Sequence, residues 1–193
     1  KRMGRIMEPI KVNVVLLIGK ICLFDVINKC IIDSSISLYD PFSDEFIKPM
    51  TKSDYHSKIK NRTWNVVGYK IKEDWFFDAN TQLGETRIIG ICPVVKDKVS
   101  GEQFDLFWIY YPEFRKILAS QKVEIKDEPE IKTMEDIFHF RHFASNIYKE
   151  SNVYDRKISD YKTGKGIKEE AEQIELSIPD MEHDIWIGLT EKK

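Results

Sequence analysis

The stretch that decides the fold runs from Val66 to Tyr111 and holds three apolar segments, VVGYKIKEDWFF over 66–77, TRIIGICPVV over 86–95 and FDLFWIYY over 104–111. In the first, Val67, Tyr69 and Ile71 recur at every second position ahead of Trp75, the spacing at which side chains of a strand return to the same face. β-Branched and aromatic residues dominate the other two, so all three read as strands. The connections over 78–85 and 96–103 carry Asp, Asn, Gly and Ser and are too short for a crossover helix, so the strands run antiparallel as a meander. Pro93 has no N–H to give to a ladder and therefore needs a bulge or an edge position.

Working outward, Pro112 suits the first turn of a short helix in which Phe114, Ile117 and Leu118 face inward. The mostly charged stretch 121–132 reads as an exposed linker. Thr133 with Asp136 makes a capping-box pattern before a helix predicted over 134–150, where Ile137, Phe140, Ala144, Ile147 and Tyr148 recur at helical spacing. Upstream, 23–32 reads as a helix with Phe24, Ile27 and Ile31 on one face, followed by strand-like SISLYD over 35–40 and a polar helix over 51–62. Downstream, Ile167, Ala171, Ile174 and Ile178 form a narrow stripe among Glu and Lys, with Pro179 expected to stop the helix. So thin a stripe suits docking. The chain is thus expected to be α+β, an antiparallel meander of three to four strands flanked by helices over 1–164, with a C-terminal docking helix and tail over 165–193.

Composition sets the function classes. With 193 residues, 42% of them hydrophobic, the chain can bury a core, which excludes a disordered polypeptide. The 30 basic and 32 acidic side chains leave a net −2, so no global field draws it to nucleic acid or anionic lipid. Charge is uneven, however: residues 1–30 hold six basic groups against two acidic, a net +4, and 165–193 hold four against eight, a net −4. Lys11, Asn13, Lys20 and Asp25 interrupt the apolar run over 10–27, which cannot span a membrane as a helix. No signal-peptide pattern follows Lys1, so a processed, trimmed or cytosolic chain is expected. Cys22, Cys30 and Cys92 have neither disulfide-scaffold density nor zinc-site spacing and read as buried thiols.

Candidate chemistry is sparse. His139 and His142 would share a helix face with Glu135 and Asn146, but the spacing is not HExxH, and a solvated face is the expected role. His183 and Asp184 lie beside Trp186, which reads as a tail anchor. The turn YDPFSDEF over 39–46 and the pair Glu73 and Asp74 are expected at the surface and at a strand rim respectively. Lys52, Lys58, Lys60 and Arg62 around Tyr55 read as a solvated helix face more than a nucleic-acid patch, because Asp54 interrupts them. GxSxG, P-loop and GxGxxG motifs are missing, and no cofactor is expected. The aromatic run over 107–111 must be covered on both faces, by the chain itself or by a partner.

The strings KEDWFFD (72–78), RIIGICPV (87–94), LFWIYYPEFR (106–115), KESNVYDRKISDYKTG (149–164) and EHDIW (182–186) together resemble the GldN/PorN family of the type IX secretion and gliding machinery of Bacteroidota. The likeness runs from about Leu23 to Trp186; Phe114 departs from it where the family pattern has Cys. The resemblance implies a non-enzymatic periplasmic subunit associated with the outer membrane. It implies a ring built with a GldK/PorK-type lipoprotein and a link to the trans-envelope GldM/PorM shaft. A periplasmic metal-dependent enzyme or small-ligand-binding domain is the alternative. The polar block after the predicted helix, with Asn152, Tyr154, Asp155, Arg156 and Tyr161, suits a structural corner or a partner contact, with Arg156 expected to pair with Asp155 or Asp160. Ile167, Ile174, Ile178 and Trp186 are the expected anchors of a docking tail.

Overall fold

The computed structural model describes residues 3–7, 10–12, 17–18, 21–33, 35–60, 63–78, 83–125, 128–150, 154 and 156–190, and of these the backbone alone up to 21 and at 60, 77–78, 83–84 and 178–190. Their order is β1 (Met3–Met7), β2 (Ile10–Val12), β3 (Leu17–Ile18), β4 (Ile21–Cys22), α1 (Leu23–Ile32), β5 (Leu38–Tyr39), α2 (Lys52–Lys60), β6 (Trp64–Asp78), β7 (Leu83–Asp97), β8 (Gln103–Asp105), β9 (Trp108–Tyr110), α3 (Tyr111–Ser120), α4 (Met134–His139), β10 (Asn146–Lys149) and α5 (Lys165–Thr190). The fold is α+β with antiparallel strands, as expected. The chain forms two compact units, one from Lys1–Val12, Lys72–Ile88 and Asn146–Lys193, the other from Asn13–Ile71 and Ile89–Ser145.

In the Asn13–Ile71 and Ile89–Ser145 unit the strand order is β6-β7-β9-β5, and β8 also pairs with β7. Between the pairs Ile91↔Ile109 and Val94↔Asp105, three steps along β7 face four along its partner, which is a bulge. Pro93 sits there, its carbonyl accepting from Leu106 N–H at 3.0 Å. The single strand expected over 104–111 is therefore two, parted at Leu106 and Phe107, and Tyr111 already begins α3. The meander closes through Asp97, whose Oδ1 accepts from Val99 and Ser100 N–H at 2.7 and 2.8 Å while Thr63 Oγ1 donates to Oδ2 at 2.8 Å. Gly101 follows at φ 75°, a left-handed position that glycine occupies without strain.

Most of the aromatic run is covered by the chain itself, the first of the two expected ways. Phe107, Trp108 and Ile109 are at most 2% exposed. Phe107 meets Tyr55 edge-on at 5.5 Å, and Tyr111 meets Phe138 at 5.6 Å. Tyr55 is the inward side of α2, its hydroxyl donating to Asn28, and Lys58 Nζ donates to the Leu106 carbonyl at 2.9 Å. Two of the three thiols, Cys30 and Cys92, are buried, whereas Cys22 is half-buried; all three are free.

The helix expected over 134–150 is the main correction. Its start is as read: Asp136 N–H donates to Thr133 Oγ1, and the Asp136 carboxylate accepts from Thr133 N–H. It ends at His139. Arg141 takes φ 54°, His142 N–H reaches back to the Ile137 carbonyl at 2.8 Å and Arg141 N–H to Phe138 at 3.3 Å, a Schellman closure. Residues 146–149 then form β10, so Phe140 and Ala144 are exposed and Ile147 is buried on a strand in the other unit. Because a non-glycine left-handed residue costs about 1–2 kcal/mol, Arg141→Gly is expected to stabilise the chain, by about 0.5–1 kcal/mol after the entropy of the freer glycine. A higher urea midpoint at unchanged slope is the result to look for; a lower midpoint refutes the account.

In the other unit the order is β10-β2-β6, and β1 also pairs with β6. β6 is an interior strand, and Lys72, Glu73 and Asp74 on it are buried, Glu73 completely, and not at a rim as expected. α5 packs on this unit through Ala171 and Ile174, which join Ile147 and Ile158 in one apolar cluster with Trp75 and Ile167 at its margin. The helical backbone continues through Pro179 to Thr190, so the proline does not stop it.

Candidate interaction surfaces

In the Asn13–Ile71 and Ile89–Ser145 unit the loop over 40–50 exposes two large apolar side chains. Its ends are tied by the Tyr39↔Pro49 bridge, by Asp40 N–H to the Lys48 carbonyl at 2.9 Å and by Met50 N–H to Leu38 at 2.8 Å. The Asp40 carboxylate accepts from Phe42 N–H at 2.9 Å and pairs with Lys48 Nζ at 2.9 Å. These bonds hold it below the usual carboxylate range, so they strengthen the loop above that range and are lost as pH falls through the lowered value. At the tip Phe46 takes φ 55° and turns its ring inward, edge-on to Tyr39, Trp108 and Tyr110 at 5.5, 6.1 and 5.6 Å. Phe42 and Ile47 face out, 96% and 80% exposed.

Gly90 makes the seat. A Cβ there would stand 2.3 Å from Phe46 Cζ and 3.2 Å from Trp108 Cε3. Gly90→Ala is therefore expected to push Phe46 out and cost about 1–3 kcal/mol, as overpacking does. In a Phe46→Ala background the same change should cost much less; equal costs in both backgrounds, measured by urea unfolding, would refute the wedge.

In the other unit the surface is the segment before α5. The Arg156 guanidinium carbon lies 4.7 Å from the Tyr154 ring centroid and 5.4 Å from that of Tyr161. Asp160, one of its two expected partners, accepts from Lys157 N–H at 2.8 Å and caps the 3-10 turn Ile158–Asp160. Asp155, the other, lies outside the described residues. Tyr161 O–H donates to Glu170 at 3.4 Å, and Lys162 Nζ pairs with Glu170 at 3.1 Å. Of the expected tail anchors, Ile174 is buried and Ile167 half-buried within their own unit, while the side chains of Ile178 and Trp186 lie outside the described residues.

Burial, and then the nearby charge of Glu170, raise Glu150 above its usual range. A carboxyl raised on folding contributes stability below its unfolded pKa and loses it as pH rises through the folded one. Glu150→Gln is thus expected to raise the melting temperature at pH 7 and to leave it unchanged near pH 4. Gains of the same size at both pH values would contradict this.

The imidazoles do not converge: with α4 ended at His139, His142 faces Glu128 at 4.0 Å and Glu135 pairs with Arg115 at 2.7 Å. Among the described residues, no three His, Cys, Asp or Glu side chains are grouped to hold a metal. Sequence reasoning placed the YDPFSDEF turn at the surface, but missed that Phe46 packs inward while Phe42 and Ile47 face out. Two phenylalanines flanking Ser-Asp-Glu in one turn were the available signal.

Tyr, Trp and Arg are the residue types enriched at protein-interface hot spots, and Tyr154 and Arg156 are exposed here. The family model described as Gliding motility associated protein GldN matches residues 11–187, and the chain belongs to that family. It is accordingly a component of the gliding-motility machinery, in a family of structural subunits and not one of enzymes. The chain has no match among curated protein sequences.

Proposed function

We propose that this chain is a non-enzymatic structural subunit of the type IX secretion and gliding machinery. It works in the periplasm against the outer membrane, in a ring with a GldK/PorK-type lipoprotein, and couples to the GldM/PorM-type shaft. The observation that carries the reading is the family match across 11–187, which spans both compact units. Two further facts agree with it. No helix among the described residues is long and apolar enough to cross a membrane, which is compatible with a periplasmic subunit. Surface Tyr, Phe and Arg side chains on braced loops also suit protein contacts. The test is affinity purification of the tagged full chain from envelope fractions. Stoichiometric recovery of a lipoprotein, together with release of the chain by osmotic shock when that lipoprotein is deleted, is expected. Recovery of the chain alone, or from the cytoplasmic fraction, would overturn the reading.

A further inference from the structure

Between α1 and α3, in the Asn13–Ile71 and Ile89–Ser145 unit, lies a groove of about 340 Å³ with Val26, Cys30 and Ile117 as an apolar floor and Asp25, Lys29 and Asp33 along its rim. Val26 and Cys30 are buried, Ile117 is half-buried and the three charged residues are exposed. Spaced four apart, Asp25, Lys29 and Asp33 follow one another along a single face of α1, and Ile32, 67% exposed, shares that face. None of the three has a side-chain hydrogen bond or an ion pair among the described residues. Asp33 is also the C-cap of α1, where the helix dipole disfavours a carboxylate, so the helix that carries this charge does not account for it. The rim therefore runs negative, positive, negative at intervals of about one turn. A second helix meets that run with positive, negative, positive, since both helices advance by the same rise per residue.

We propose that this groove takes a helix of another protein that carries Lys or Arg, then Asp or Glu, then Lys or Arg at intervals of four residues. A large apolar side chain beside that run would sit on Val26, Cys30 and Ile117. The opposed charges set register and orientation, and the floor supplies the apolar burial of a helix held in a groove. No basic, acidic, basic run at that spacing occurs anywhere in these 193 residues, so a second copy of them is not the occupant. The inference goes beyond the assembly reading: it assigns a site and the chemistry of its partner, and it holds wherever that partner resides. A lipoprotein recovered with the chain while this groove stays empty would overturn the inference and leave that reading standing.

The test places the photocrosslinking residue p-benzoylphenylalanine at Ile32 of the full chain in its native cells. Irradiation is expected to join it to another protein, at a helix that mass spectrometry shows to carry the basic, acidic, basic run. Asp25→Lys/Asp33→Lys should lower the yield about tenfold, because like charges then face each other at both ends of the contact. Its melting temperature should not fall, since Asp33→Lys puts a cation at a helix C-terminus, which favours α1. If it does fall, Asp25→Asn/Asp33→Asn removes the same two charges at nearly constant size and should still lower the yield severalfold. Changing the partner's two basic residues to Glu should restore crosslinking to the Asp25→Lys/Asp33→Lys chain. A crosslink to a second copy, to lipid or to a segment without the run would overturn the proposal. So would a yield no higher than with the same photoreactive residue at exposed Val99, or one that the charge variants leave unchanged.

Discussion

Trp108→Ala is expected to cost about 3–5 kcal/mol, the range for removing a large buried aromatic. Trp108 is 2% exposed on β9, opposite Tyr39 in register, and its ring is one wall of the seat that holds Phe46. The loss has two parts, a cavity between β5 and β9 and a Phe46 ring left without a neighbour. Urea unfolding should show a lower midpoint, and limited proteolysis under native conditions should cut within 40–50, where wild type resists. A loss below about 1 kcal/mol, the size of an ordinary substitution, would mean that the seat is not a packed element of the fold.

Ile174→Asp is expected to be comparably severe in the other unit. Ile174 is 7% exposed in the cluster with Ile147, Ile158 and Ala171, and a carboxylate there would be set among apolar groups. An uncompensated buried charge costs about 3–5 kcal/mol. The group would take up a proton instead at the lower end of that range, so the defect should ease as pH falls. Leu176→Asp is the control: Leu176 is 73% exposed, and its change should lie within about 0.5 kcal/mol of zero. Hydrogen exchange of α5 and β10 amides would locate the damage. If Ile174→Asp melts as wild type does, α5 is not held by its own unit, and the first turns of the helix are free to dock elsewhere.

Some of this molecule could be read from its sequence because the causes are local. The alternation of Val67, Tyr69 and Ile71, the proline that opens α3 and the Thr133–Asp136 box each depend on residues within a few positions of one another, so their chemistry is visible in a short window. The same holds for the bulge at Pro93, which follows from a missing N–H. The stacking of Arg156 on Tyr154 and Tyr161 was not visible, since its expected partners were Asp155 and Asp160.

The rest was settled by neighbours that are distant in sequence. Phe140, Ala144 and Ile147 keep helical spacing, yet Arg141 closes the helix and Ile147 pairs with Lys11 on β2. Lys72, Glu73 and Asp74 on the interior strand β6 are buried, although by composition they belong at a surface. The opposite fates of Phe42 and Phe46 in one turn show the reason most clearly. Both are phenylalanines in a polar context, and only Gly90 and Trp108, brought beside the turn by the β5–β9 pairing, leave room for one ring and not the other. Periodicity and turn chemistry determine which elements form. Which apolar side chains remain on the surface depends on the space that other strands leave, and that is known only once the chain has folded.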